Sequence, residues 1–176
     1  WPFCIGDNRA YREYDFATGT PGNFFNCTDL VNPSPNNTGL TNLPPAIPAW
    51  IWYPYGPSSE FPEFGNQTER TAIAGGFFKY DPALTETGGF PKYFDGSLFI
   101  MEWTRNWIKE IRLDSEGNIL KIDDFLPDLE LSRPIDMEFG PDGAMYIIEW
   151  GSGFFEFNED ARIIKIEYAG NLSNRI

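Results

Sequence analysis

The sequence predicts an all-β chain built from repeated four-stranded antiparallel units, and three observations carry that expectation. Aromatic residues make up 17% of the chain while Gly and Pro number 17 and 15, a composition suited to short strands packed through large rings and separated by tight turns. Asp95-Gly-Ser-Leu-Phe-Ile-Met-Glu-Trp103 returns as Asp142-Gly-Ala-Met-Tyr-Ile-Ile-Glu-Trp150, 47 residues later. Both copies hold continuous apolar runs, Leu98–Met101 and Met145–Ile148, as in strands covered on both faces, and neither shows helical periodicity. A repeat of about 40–50 residues made of turn, strand, loop and strand is that of a β-propeller blade, and a ring of blades typically has at least about four. The chain therefore reads as about two blades of a larger propeller.

The elements follow in chain order. Residues 1–70 are rich in Pro, Asn and Gly and read as an inter-blade insertion with one strand at Trp50–Tyr53. Residues 71–130 form a blade with strands at Ile73–Tyr80, Ser97–Trp103, Trp107–Leu113 and Ile119–Phe125. Residues 131–176 form a last, incomplete blade with strands at Pro134–Phe139, Ala144–Trp150 and Arg162–Tyr168, and no evident fourth strand. Asp114–Asn118 and Gly140–Gly143 are turns with Gly where the backbone needs positive φ. A chain that opens on Trp1 with about two blades is expected to be a segment of a longer polypeptide, partnered by further blades of that polypeptide or by a companion chain.

Composition also bounds function. With 13 Lys+Arg against 26 Asp+Glu the net charge is −13, which argues against nucleic acid and against an anionic membrane surface as partners. There is no His, so a Ser-His-Asp arrangement, a histidine base and a His metal site are excluded from this chain. No carboxylate pair stands out for acid/base work on carbohydrate. Cys4 and Cys27, 23 residues apart, could close a loop worth roughly 3 kcal/mol; two free buried thiols are the alternative. Four Asn-x-Ser/Thr sequons, at Asn26, Asn36, Asn66 and Asn171, together with that cysteine pair, point to an exported glycoprotein.

Alternation of strands sorts the loops by face. Trp103–Trp107, Leu126–Pro134 and Gly151–Ala161 emerge together, so Arg105 and Arg133 share a face and are candidates for a carboxylate or phosphate ligand, because a guanidinium offers a fixed bidentate fork. The alternative is local ion pairing with Glu102, Asp136 or Glu149. Glu102 and Glu149 end equivalent strands and are expected to be structural, with Trp103 and Trp150 as packing anchors. Trp52, Tyr53, Tyr55 and Phe61 could form a sugar-stacking platform or the core of the insertion.

The run Ser132-Arg-Pro-Ile-Asp-Met-Glu-Phe-Gly-Pro-Asp-Gly-Ala-Met-Tyr-Ile-Ile-Glu-Trp-Gly151, with the opening Trp1-Pro2, Cys4-Ile-Gly-Asp-Asn8 and Tyr53-Pro-Tyr-Gly-Pro-Ser-Ser59, resembles the C-terminal blades of the glucose/sorbosone dehydrogenase family. That resemblance implies a six-bladed propeller that oxidises an aldose with pyrroloquinoline quinone and calcium. It also implies a cofactor contact at Arg133, with Arg105 at or beside another basic position. Ile135 and Thr104 stand where the better-known members have an arginine and a lysine. The family's histidine base and main calcium ligands come from earlier blades, so the isolated chain is not expected to be active. The competing function is a non-catalytic propeller that binds glycans or proteins, with Tyr53 and Tyr55 at the sugar.

Overall fold

The computed structural model describes residues 3–69, 73–154 and 156–170. They are all-β: strands joined by turns, with three short 3-10 turns, Pro62–Phe64, Pro82–Thr87 and Lys92–Phe94, as the helical elements among them. They fall into two compact units, one comprising the residues up to Pro54 with Ser58–Phe64, the other Tyr55–Pro57 and the chain from Gly65 on.

The first unit is three two-stranded ribbons: β1 (Cys4–Ile5) with β2 (Arg9–Ala10), β3 (Arg12–Asp15) with β4 (Thr20–Phe24), and β5 (Leu30–Val31) with β6 (Asn42–Leu43). The β1–β2 turn uses Gly6 and Asn8 at φ of 61° and 62°. Asp15 makes the β3–β4 turn by accepting the Ala17 amide at 2.8 Å. Such ribbons bury little, and among the described residues this unit's buried apolar side chains are few: Cys4, Leu30, Tyr53 and Phe64. The Cys4–Cys27 disulfide, Cα atoms 6.2 Å apart, supplies the constraint that a small core cannot. The strand expected at Trp50–Tyr53 does not form. Pro48 and Pro54 flank it without amide donors, and its rings pack instead, Trp52 on Phe61 and Tyr53 on Phe64.

The second unit holds the repeat. Strands β7 (Ile73–Phe77), β8 (Leu98–Glu102), β9 (Trp107–Leu113) and β10 (Ile119–Phe125) form an antiparallel meander in the order β10-β9-β8-β7. Strands β11 (Pro134–Phe139), β12 (Met145–Glu149) and β13 (Arg162–Ile166) form a second antiparallel sheet in chain order. The two copies of the repeat therefore lie in different sheets, each as the strand after the first, and the glycines opening them, Gly96 and Gly143, have matching φ of 78° and 76°.

Register decides which side chains meet. Met101 pairs with Ile108 across β8–β9, and Met137 with Ile147 and Met145 with Ile166 in the second sheet. Residues so paired share a face. Phe99, Met101 and Ile108 of the first sheet, with Met137, Met145 and Ile147 of the second, form one core cluster, completed by Phe78 and Phe90 from the β7–β8 connection. Phe90 touches Phe99 and Phe125 on one side and Phe139 on the other. Burying each such ring contributes roughly 2–3 kcal/mol. The opposite face of the second sheet is open: Ile148 is 42% and Ile163 69% exposed.

Candidate functional site

Short connections at one end of the second unit make the site. Between β8 and β9, Glu102 is fully buried and its carboxylate accepts the Arg105 amide, closing a tight loop that turns Trp103 and Thr104 outward. In the second sheet the equivalent Glu149, equally buried, accepts the Ser132 amide at 2.7 Å and pairs with Arg162 at 2.5 Å. Each glutamate thus holds a loop, the structural duty expected of it.

Two non-glycine residues at the site itself have left-handed backbones, Asn106 at φ 52° and Arg133 at φ 54°. Each costs on the order of 1 kcal/mol, less for Asn. They touch: the Arg133 amide donates to Asn106 Oδ1 at 2.7 Å. The Arg133 backbone is fixed further by its carbonyl, which accepts the Trp150 amide at 2.8 Å. Strain held by such bonds is characteristic of functional positions.

Between them lies a pocket of about 480 Å³ lined by Tyr55, Glu69, Trp103, Thr104, Asn106, Arg133 and Phe154. The Arg133 guanidinium carbon stands 5.1 Å from the centre of the Trp103 ring, and Phe154 meets that ring edge-on at 5.7 Å. Arg133 Nη1 donates to the carbonyls of Ser152 and Gly151. Aromatic walls, one cation, one carboxylate, an amide and a hydroxyl converge on one concavity, which is the make-up of a polar-ligand site.

The residues singled out from sequence have separate fates. Arg133 lines the pocket; Arg105 is buried, and its Nε and Nη2 donate to the carbonyls of Glu69 at 2.8 Å, Gln67 at 3.2 Å and Gly56 at 3.4 Å. Arg105 thus holds the segments that carry Tyr55 and Glu69. Tyr55 is on the pocket wall and Tyr53 is buried in the other unit. Trp103 and Trp150 are not anchors of the core: Trp103 is a pocket wall and Trp150 is 39% exposed, its indole donating to the Gly153 carbonyl at 2.7 Å. Cys4 and Cys27 are bonded; Asn26, Asn36 and Asn66 are exposed, and Asn171 lies outside the described residues. Glu69, Asn106 and Phe154 were not singled out. Asn106 carried the one available signal, an Asn in a four-residue connection, where left-handed backbone is tolerated.

The donor set can be set against the quinone that the family resemblance implies. A tricarboxylate cofactor asks for several cations, whereas the pocket offers one, the Arg133 guanidinium, and a carboxylate on its wall, Glu69, and Arg105 is turned to carbonyls. No group of three or more Asp, Glu, His or Cys side chains is placed for a metal ion among the described residues. By themselves the described residues supply one guanidinium towards such a cofactor, the resemblance placing its calcium ligands on earlier blades. No family model, curated protein or solved structure matches the chain.

Proposed function

We propose that the Trp103–Arg133 pocket binds carbohydrate, as part of a propeller of the glucose/sorbosone dehydrogenase kind whose further blades come from the same polypeptide or a companion chain. The observation that carries this is the Trp103 ring, which is half-buried as a pocket wall between Arg133 and Phe154 instead of lying in the core. A sugar ring presents an apolar C–H face to such a wall and hydroxyls at its rim, where Asn106, Thr104 and Glu69 supply donors and acceptors. The open face of the second sheet, with Ile148 and Ile163 exposed, supports a neighbouring blade there. Sugar oxidation through a quinone is not carried by these residues, so the function proposed for them is recognition.

Titration of glucose, galactose, xylose and their short oligosaccharides, followed through tryptophan indole NMR signals, tests the proposal. The Trp103 signal should shift in saturable fashion, and Trp103→Ala should weaken binding at least about tenfold, roughly 1.4 kcal/mol, without lowering Tm. Absence of any shift, or unchanged affinity in the variant, would sink it.

A further inference from the structure

We propose that the sugar is acidic, and that Arg133 selects it by reading the carboxylate of a uronic acid; this rests on the pocket binding carbohydrate. The chain carries twice as many acidic as basic residues, 26 against 13, so an arginine in a pocket without an ion pair of its own has a donor edge to offer a ligand. Arg9, Arg112 and Arg162 each pair with a carboxylate. Arg133 pairs with none among the described residues; its partners are the carbonyls of Gly151 and Ser152, both met by Nη1, and the face of Trp103. The edge formed by Nε and Nη2 keeps its donors, and that edge matches the two oxygens of a carboxylate.

The rest of the pocket narrows the ligand. Glu69 is on the wall, so a compact dianion or a polycarboxylate would meet a like charge as well as the guanidinium. A ligand with one carboxylate at one end and hydroxyl donors at the other satisfies both groups, Arg133 taking the carboxylate and Glu69 the hydroxyls. A pyranose placed between them presents its C–H face to Trp103. Those three demands together describe a uronic acid or a uronate-containing oligosaccharide. The Nη1 bonds to the Gly151 and Ser152 carbonyls and the face of Trp103 hold the fork in place before ligand arrives, and such preorganisation favours affinity.

The test compares glucuronate, its methyl ester and glucose, and galacturonate with galactose, at constant ionic strength and neutral pH, on the full chain. Wild type should bind each uronate at least about tenfold more tightly than the ester or the neutral sugar, and inorganic sulfate should not displace the uronate. Arg133→Gln should abolish the preference, measured within that variant as the ratio of uronate to ester affinity, and Arg133→Lys should retain part of it. The ester arm needs no variant, so it decides even if Arg133→Gln fails to fold. Equal affinity for uronate and ester, or displacement by sulfate, would overturn the proposal while leaving carbohydrate recognition standing. Failure of every sugar to bind would remove both.

Discussion

Gly75 and Gly76 are neighbours in β7 with opposite tolerance for a side chain. A Cβ on Gly75 would sit 2.0 Å from the Phe99 carbonyl oxygen and 2.8 Å from the Ile100 Cα, whereas a Cβ on Gly76 would meet nothing within 4 Å. Backbone cannot swing aside as a side chain can, so Gly75→Ala must part β7 from β8. It should destabilise by on the order of 1–3 kcal/mol, with Gly76→Ala within about 0.5 kcal/mol of wild type; urea unfolding of the two variants checks this, and equal midpoints would contradict it. Not every residue-scale distinction was legible from sequence. Arg105 and Arg133 sit on comparable connections, and their spacing says nothing of which is buried. What separates them is the segment carrying Gly56, Gln67 and Glu69, up to 49 residues before Arg105, and contacts across such distances leave no local pattern.

At the scale of elements, turns and strand bounds were legible because both are local. Gly117 and Gly143 take the positive φ, 85° and 76°, that their turns required, and β9, β10 and β11 span the residues their apolar patterns indicated. The β11–β12 turn also carries a pH dependence. Lys165 Nζ lies 2.9 Å from Asp142 Oδ2, and the Tyr146 hydroxyl donates to the same oxygen at 2.9 Å; the Lys165 bond first, then the Tyr146 bond, lower Asp142 from 3.8 to about 2. A carboxyl lowered in the folded state stabilises fully above its unfolded value and loses that contribution as pH falls from 3.8 through about 2. Wild type should therefore melt above Asp142→Asn at pH 5, and the gap in Tm should narrow as pH falls below 3.8 and close only below about 2. A gap independent of pH would show that the Asp142 charge is not its source. Asp15 and Asp114, each lowered chiefly by a side-chain bond within its own turn, to Thr18 and Asn118, add to the same acid sensitivity.

For the molecule as a whole, the repeat was the most informative signal, because equal sequence demands equal local structure and the two copies had to become matching strands of two sheets. The core between those sheets was less legible. Phe78 and Phe90 enter it from the irregular connection between β7 and β8, where no periodicity marks a residue as buried. The disulfide and the sequons have their own whole-molecule consequence. A disulfide next to an exposed sequon, Cys27 beside Asn26, with Asn36 and Asn66 also exposed, fits a chain that folds in an oxidising, glycosylating compartment. Material from a eukaryotic secretory host should lose mass on deglycosylation at one or more of these sites, as peptide mass spectrometry would show; unmodified asparagines at all of them would remove that assignment.

The second sheet ends on β13, Arg162-Ile-Ile-Lys-Ile166, which among the described residues bonds to β12 on one side only. Three isoleucines in five residues along an open edge make a template for stacking of copies into fibres. What interrupts the template is charge, and both charges are tethered, Arg162 to Glu149 and Lys165 to Asp142 and Glu167. The two ion pairs so far described as holding a loop and a turn therefore also act as gatekeepers, keeping a cation at fixed places along an edge that would otherwise be adhesive. Colloidal behaviour at high concentration is thereby tied to the same carboxylates that shape the fold.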